Sequence, residues 1–251
     1  MAVFKNAVFY PETANFIQSA GITDETQMKA IGRLVGDLKF FNLWNKMRAV
    51  YPFVGGTSGS HKFNLKDPRD TNAAYRLAFT GTWYHTSQGI SGSNAYAQTY
   101  LNPGTILDVN SAHISIYSTL PSTTFTVGSK DRFFVNSTVG TQLLSSTGVS
   151  TTLASTTGLF TFTKTTGTET TIIQNNNILV ANNTQSPSNP DLGSGVLIGA
   201  RSDGTIATPV PLDYATGNYG FVSIGDGFTT AEAANLYTAV QRFQTTLGRQ
   251  V

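Results

Sequence analysis

The segment from residue 74 to residue 85, AYRLAFTGTWYH, alternates between two sets of side chains. A period of two is typical of a β-strand that has one face on a core and one face in solvent. The side that we expect to face the core carries Tyr75, Leu77, Phe79, Gly81 and Trp83. The segment therefore predicts a sheet packed against an apolar core.

Further short strands follow this segment at regular spacing. We predict them at 95–101, 113–119, 124–128, 132–137, 158–164, 170–174 and 177–181, with two more in GVLIGAR and YGFVSIGDGF. Turn signals such as LNPG, KTTGTE and SPSNPDLGSG separate them. Many short strands with such turns predict an all-β sandwich or barrel.

Two helices flank the predicted strands. The first lies within 22–47, where Thr23 or Asp24 can cap it. Gly32 and Gly36 lie four residues apart on one face; we favour tolerated glycines over a face that lets another backbone approach. The last helix spans 229–247 and begins with the capping box of Thr229 and Glu232.

Residues 1–22 are predicted to form an arm that can fold onto its own domain or reach a neighbouring subunit. Pro11 interrupts it, and its aromatic anchors are Phe4, Phe9, Tyr10 and Phe16. We expect the arm to contact other subunits. The predicted organisation is an arm and helix over 1–47, followed by one β-sandwich over 48–251.

Charged residues make up 12% of the 251 residues, about half the usual share of roughly 25%. This composition suits a surface that lies against other protein or is stable outside a cell. The net charge is +2 and no basic run interleaves with aromatics, so nucleic-acid binding is not predicted. The chain has no cysteine, no run typical of a signal peptide and no apolar run long enough for membrane insertion.

The ending GVLIGAR…YGFVSIGDGFTTAEAANLYTAVQRFQTTLGRQ resembles the closing part of concanavalin A-like jelly rolls of the laminin G type. The segments YPFVGGT, HKFNLKDPRD and AYRLAFTG, with GISGSNAY, are similar to sandwich proteins among the structural genes of tailed bacteriophages. This resemblance implies an all-β jelly-roll sandwich with an N-terminal helical arm and a C-terminal helix. It also implies a virion protein that is tail-fibre-like or head-decorating. The resemblance thus indicates where the protein acts more than which activity it has.

Enzyme activity is not predicted. Glycoside hydrolysis needs two carboxyl groups that share one groove, but the four glutamates are scattered at Glu12, Glu25, Glu169 and Glu232. No Gly-x-Ser-x-Gly elbow is present. We expect the histidines His61, His85 and His113 to be polar strand-end residues rather than catalytic bases.

Cofactors are not predicted either, because the sequence has no His or Cys cluster of the kind that holds zinc. Laminin G-like domains can hold calcium at the sandwich rim, and this resemblance makes four turn aspartates weak candidates. They are Asp108, Asp131, Asp203 and Asp226. Since aspartate is common in turns and no calcium-loop motif is present, we favour ordinary turn residues.

Sugar recognition needs an exposed aromatic side chain and a few polar groups. The candidate cluster lies at the end of the long strand and past the next loop: Tyr84, His85, Tyr96 and Tyr100. Alternation places Trp83 on the core side, so Tyr84 is the more exposed candidate.

The predicted function is a non-enzymatic structural protein of a bacteriophage virion, namely a capsid-decorating, head-fibre or tail-associated subunit. Its expected partners are other virion proteins and further copies in a homo-oligomer. The alternative is a lectin-like adhesin that binds host-surface glycans.

Overall fold

The computed structural model describes residues 10–119, 124–129, 133–137, 140–143, 148–149, 155–184, 187–188 and 193–251. Five α-helices lie in these ranges: α1 Pro11–Ala20, α2 Glu25–Phe40, α3 Ser58–His61, α4 Pro103–Ile106 and α5 Thr230–Thr246. The strands in the first half of the chain are β1 Met47–Tyr51, β2 Ala78–Thr86, β3 Gly89–Gln98, β4 Ala112–Ser118, β5 Thr126–Ser129, β6 Phe133–Asn136 and β7 Gly140–Leu143. The later strands are β8 Gly158–Lys164, β9 Thr170–Gln174, β10 Asn177–Asn182, β11 Leu197–Ile198, β12 Arg201–Ser202, β13 Pro211–Leu212, β14 Asn218–Tyr219 and β15 Phe221–Gly225.

The strands form two sheets that pack face to face. One sheet has six strands in the order β1-β15-β4-β8-β9-β10. The other has nine, in the order β13-β12-β5-β11-β3-β14, with β2 paired to β3, β6 to β5 and β7 to β6. A shared core of apolar side chains, including Ile114, Phe160 and Val127, lies between them. The predicted all-β sandwich with N-terminal helices and a C-terminal helix is confirmed.

A layer of helices covers the outer face of the six-stranded sheet. In β4, Ile114 and Ile116 point into the sandwich core, whereas Tyr117 belongs to a second core shared with α1, α2 and α5. Every residue of β4, β8 and β15 is buried because both faces of these strands are covered. Small polar side chains under the helices pair with one another, as the hydroxyls of Ser115 and Thr161 do at 3.1 Å.

The helical layer corrects the prediction of an N-terminal arm. Phe16 is 1% exposed in the second core, and Tyr10 packs against the same cluster. The side chain of Phe16 is therefore occupied within the chain and is not free to anchor a neighbouring subunit, whereas Tyr10 is only partly buried and its anchoring role stays a prediction. Phe4 and Phe9 lie outside the described residues. The predicted boundary after residue 47 does not separate two cores, because α1 and α2 share theirs with α5 and β15.

Local signals explain the ends of the two long helices. The Asp24 carboxylate accepts a hydrogen bond from the Gln27 backbone N–H at 2.8 Å, and Thr229 and Glu232 form a full capping box.

A Cβ at Gly32 would lie 3.8 Å from Thr13 of α1, which is ordinary van der Waals contact. The packing of α1 against α2 therefore does not require glycine at this position.

Replacing Gly32→Ala should raise the free energy of unfolding by about 0.5–1 kcal/mol, because alanine loses less backbone entropy in a helix. Urea unfolding measures it. Gly227→Ala is the contrast: its Cβ would overlap the Lys164 carbonyl oxygen, so this variant should lose stability. Loss of stability in Gly32→Ala would show that the helices need a glycine there.

Several elements of the structure were not predicted from the sequence. The glycine- and serine-rich segment GISGSNAY forms most of β3, which begins at Gly89, six residues before the predicted strand at 95–101, and pairs with β2. The segment VGGTSGSH, for which no helix was predicted, contains α3, which Thr57 caps through the Ser60 backbone N–H at 3.1 Å. The segment Pro11–Ala20, read as part of an arm, is a helix.

The buried side chain of Arg249, 3% exposed, joins the chain end to the sandwich. Its guanidinium donates five hydrogen bonds, which go to the Gln244 side-chain oxygen and to the backbone carbonyls of Pro52, Phe53, Ser87 and Gly220. Arginine has five N–H donors, so all are satisfied. Burial lowers the pKa of Arg249 to about 9, so the group stays charged at neutral pH.

Replacing Arg249→Lys should lower the free energy of unfolding by roughly 2–4 kcal/mol, because three donors cannot satisfy five buried acceptors. Guanidinium unfolding measures the loss. Arg242→Lys, at a half-exposed ion pair with Asp37, is the matched control and should change stability by less than about 1 kcal/mol. Equal effects in the two variants would contradict the role given to Arg249.

Candidate functional site

A groove of about 680 Å³ lies between α1 and the loop that follows α3. One wall is the exposed face of α1, which carries Asn15, Gln18 and Ser19 at helical spacing. The opposite face of α1 buries Thr13 and Phe16, and this fixes which side chains point into the groove. The helix thus presents neutral hydrogen-bonding groups to the groove.

The other wall is the segment 63–70, which contains the charge-rich sequence KDPRD. Asn64 fastens it to β1: its side-chain oxygen accepts the Val50 backbone N–H at 2.9 Å, and its amide donates to the Ala74 carbonyl at 3.1 Å. The Asp67 N–H closes the turn onto the Asn64 carbonyl at 3.2 Å. This wall is therefore held by buried hydrogen bonds.

The two carboxylates of this wall are paired with cations. Asp67 accepts two hydrogen bonds from Arg69, at 2.8 and 2.5 Å. Asp70 accepts from Lys62 at 2.5 Å and from Arg76 at 3.4 Å. The hydrogen bond from Arg69 lowers the pKa of Asp67, and the one from Lys62 lowers the pKa of Asp70. Both carboxyl groups are ionised at neutral pH.

Lys66 forms part of the groove lining and is half-buried. Its ammonium donates to the Trp44 carbonyl at 2.7 Å and lies 4.1 Å from the centre of the Trp44 ring. Burial lowers the pKa of Lys66 to about 8. With Lys66 and Arg69 positive and Asp67 and Asp70 negative, the four charged residues of the lining sum to zero.

The polar groups of the groove can bind a ligand, but they are poorly suited to acid catalysis. A glycosidase needs one carboxyl group with a raised pKa to protonate the leaving group, whereas those of Asp67 and Asp70 are lowered. Two of the four glutamates form ion pairs with lysines in different parts of the fold. Glu12 pairs with Lys39, whereas Glu232 caps α5 and binds Lys46.

The aromatic residues predicted to bind glycan do not form one cluster. Tyr84 is 60% exposed, on the outer face of the β2–β3 hairpin. Tyr96 shares this face because it pairs with Thr80, four positions from Tyr84 and thus roughly 13 Å away. Tyr100 lies two residues past the end of β3, at the other end of the hairpin. The glycan-binding role of these residues stays a prediction.

His85 points to the opposite side of β2, with Phe79 and the half-buried Trp83, as alternation predicts for Trp83. Its Nδ1 lies 3.0 Å from the Nδ1 of His61, and the Gly56 N–H donates to the His61 Nε2 at 3.1 Å. Because Nε2 of His61 accepts, the proton of the neutral ring is on Nδ1 and occupies the space between the rings. His85 is thus removed from the face that carries Tyr84.

His113 is fully buried at the start of β4. Its Nδ1–H donates to the Asp226 carbonyl at 2.7 Å, and its Nε2 lies 3.1 Å from the Ser223 hydroxyl. Burial lowers the pKa of His113 to about 3.

Acid should therefore destabilise the protein through His113. The unfolded state binds this proton near pH 6.5 and the folded state only near pH 3, so stability is present above pH 6.5 and falls by about 1.4 kcal/mol per pH unit below it. Unfolding by urea at pH 7, 6 and 5 measures the slope. The slope should be smaller in His113→Gln than in the natural chain; an unchanged slope would contradict this account.

The turn aspartates do not assemble into a metal site within the described residues, where no group of three His, Asp or Glu side chains converges. Both Asp226 oxygens accept from Arg48 at 2.9 Å. Asp108 accepts the Asn110 backbone N–H at 2.7 Å, as turn aspartates commonly do. Asp203 lies in a turn, and Asp131 lies outside the described residues.

No family model and no curated protein matches the chain. Domain 4 of AbnA, an extracellular GH43 arabinanase from Geobacillus stearothermophilus solved with arabinotriose, is 13% identical at a TM-score of 0.46, covering 76% of this chain and 98% of that one. The binding domain of botulinum neurotoxin DC, solved with rat synaptotagmin II, is 8% identical at a TM-score of 0.41, covering 79% of this chain and 52% of that one. Neither likeness identifies a ligand here, and the phage resemblance stays a prediction.

Proposed function

We propose that the protein is a non-catalytic glycan-binding β-sandwich whose ligand site is the groove between α1 and the segment 63–70. The observation that supports this most is the lining: amide, hydroxyl, carboxylate, ammonium and guanidinium groups with a net charge of zero. A sugar hydroxyl both donates and accepts, so it suits a wall that offers both. A ligand with net charge would find no opposite excess in the lining.

The rigidity of the site supports the same proposal. In the wall 63–70, the backbone is held by the buried Asn64 and the carboxylates of Asp67 and Asp70 by ion pairs, so this wall loses little freedom when a ligand binds. Concave sites with a few fixed polar groups are the usual form of small-ligand sites. A site of this form agrees with the lectin-like alternative predicted from the sequence. The proposed ligand site is the groove, however, and not the predicted tyrosines.

The test is a screen of neutral oligosaccharides on an array, followed by calorimetric titration of the tightest binder. Replacing both Asn15→Ala and Gln18→Ala should weaken binding at least about tenfold, since each lost hydrogen bond is worth about 1 kcal/mol. Both positions are exposed on a helix where alanine is favourable, so the fold should persist.

Tyr84→Ala is the control at the other candidate surface, and we expect it to bind as the natural chain does. Weakened binding in Tyr84→Ala with unchanged binding in the double variant would move the site to the hairpin. Failure of every oligosaccharide to bind would overturn the proposed function.

For the setting, we propose a bacteriophage virion, where the protein would be a capsid-decorating, head-fibre or tail-associated subunit. Support comes from the sequence resemblance and the low charge content. The strand β2 adds to this, since it is a nine-residue edge strand without Lys, Arg, Asp or Glu, a surface that other subunits can pair with.

Imaging of intact particles with a labelled antibody tests the setting. Label on the head would support decoration or a head fibre, and label at the tail tip would support host adhesion. Absence of label from all particles would contradict the virion assignment. Within the described residues, none of the helices is long and apolar enough to cross a membrane.

A further inference from the structure

The tip of the β2–β3 hairpin rests on the loop that contains α3. The His61–His85 contact is one of the links between them, and the Arg249 Nη1 adds a long hydrogen bond of 3.4 Å to the Ser87 carbonyl. Gly56 packs beside the backbone of Thr86. The two histidines therefore lie at the junction between the hairpin and the loop.

The hydrogen bonds fix where each proton is. The Gly56 N–H points at Nε2 of His61, so His61 carries its proton on Nδ1 and donates it to His85. The Nδ1 of His85 must then accept, and this leaves the His85 proton on Nε2. This sequence of bonds is complete only while both rings are neutral.

A protonated imidazole has two N–H groups and no acceptor. If His85 gains a proton, its Nδ1–H faces the Nδ1–H of His61 across 3.0 Å, and the bond is lost. If His61 reverses its ring protons to accept instead, its Nε2–H faces the Gly56 N–H. Either response breaks one of the two hydrogen bonds.

Nothing described around the pair offsets the added charge. The Arg249 guanidinium approaches from the chain end and repels an imidazolium at His61. Loop and strand contribute apolar rings, with Phe53 edge-on to His61 and Phe79 edge-on to His85. No described carboxylate acts on either ring.

We propose that the His61–His85 contact is a pH-sensitive latch that holds the β2–β3 hairpin on the α3 loop near neutral pH and releases it in acid.

The direction of the effect follows from burial, which lowers the pKa of His85 and lowers that of His61 to about 3. An open hairpin exposes His85 to water, where its pKa is near 6.5. The latch is therefore closed above pH 6.5 and loses stability as the pH falls below it. From pH 7.5 to 5.5, the open fraction should rise, and about tenfold is the upper bound if His85 alone gains a proton.

Amide hydrogen exchange tests the latch in the full chain. Exchange of the hairpin segment 82–92, corrected for the intrinsic dependence on pH, should be faster at pH 5.5 than at pH 7.5, by up to about tenfold. In His85→Gln the side-chain oxygen can still accept from His61 but cannot titrate, so the corrected rates should be equal at the two pH values.

Amides of β4 and β8 serve as the internal reference for global unfolding, which also depends on His113. A hairpin that exchanges equally at both pH values in the natural chain would overturn the latch. So would the same pH dependence persisting in His85→Gln.

Nitrogen NMR of the histidine rings gives a second test that needs no variant. At pH 7.5 the proton should be on Nδ1 of His61 and on Nε2 of His85. A proton on Nε2 of His61, or a charged ring in either residue at that pH, would contradict the proposal.

Discussion

The guanidinium of Arg249 makes the contact on which the arrangement of the layers depends. It donates hydrogen bonds to backbone carbonyls just after β1, in the β2–β3 turn and just before β15. It also donates to the side-chain oxygen of Gln244 in α5. All its acceptors are neutral, so the buried charge is stabilised by dipoles and not by an opposite charge. Helix layer, central sheet and hairpin thus meet at one side chain.

The central sheet explains the rest of the architecture. Because helices cover one face and the second sheet covers the other, β4, β8 and β15 are buried on both sides. Their polar positions are filled by small hydroxyl-bearing residues and by His113, which bond to one another under the helices. The result is a three-layer molecule that consists of the nine-stranded sheet, the six-stranded sheet and a helical layer. In the helical layer, α1 forms one wall of the groove.

The sequence predicted the elements that carry their own local signals. β8 and β9 have the predicted bounds, and α5 has the predicted capping box. The first part of β3, residues 89–94, lay outside the predicted strand at 95–101 because glycine, serine and asparagine are poor strand formers, and pairing with β2 makes this part a strand. The burial of Phe16 was not predicted because its partners in the second core, among them α2, lie beyond residues 1–22.

The groove could be anticipated only in part. The charge-rich KDPRD turn marks one wall, and its ion pairs are local in sequence. The other wall is α1, whose position over this turn depends on tertiary packing of Phe16. Tyr84, Tyr96 and Tyr100 were predicted to bind sugar because exposed aromatic side chains are common in sugar-binding sites. The pairing of β2 with β3 separates Tyr84 from Tyr96.

In the proposed function the groove holds a neutral glycan, and a titration followed by NMR tests this binding directly. The side-chain amide signals of Asn15 and Gln18 and the Nε–H signal of Arg69 should shift together as an oligosaccharide is added, while Tyr84 stays unchanged. Shifts confined to the Tyr84 and Tyr96 face, with the groove signals unmoved, would contradict the account.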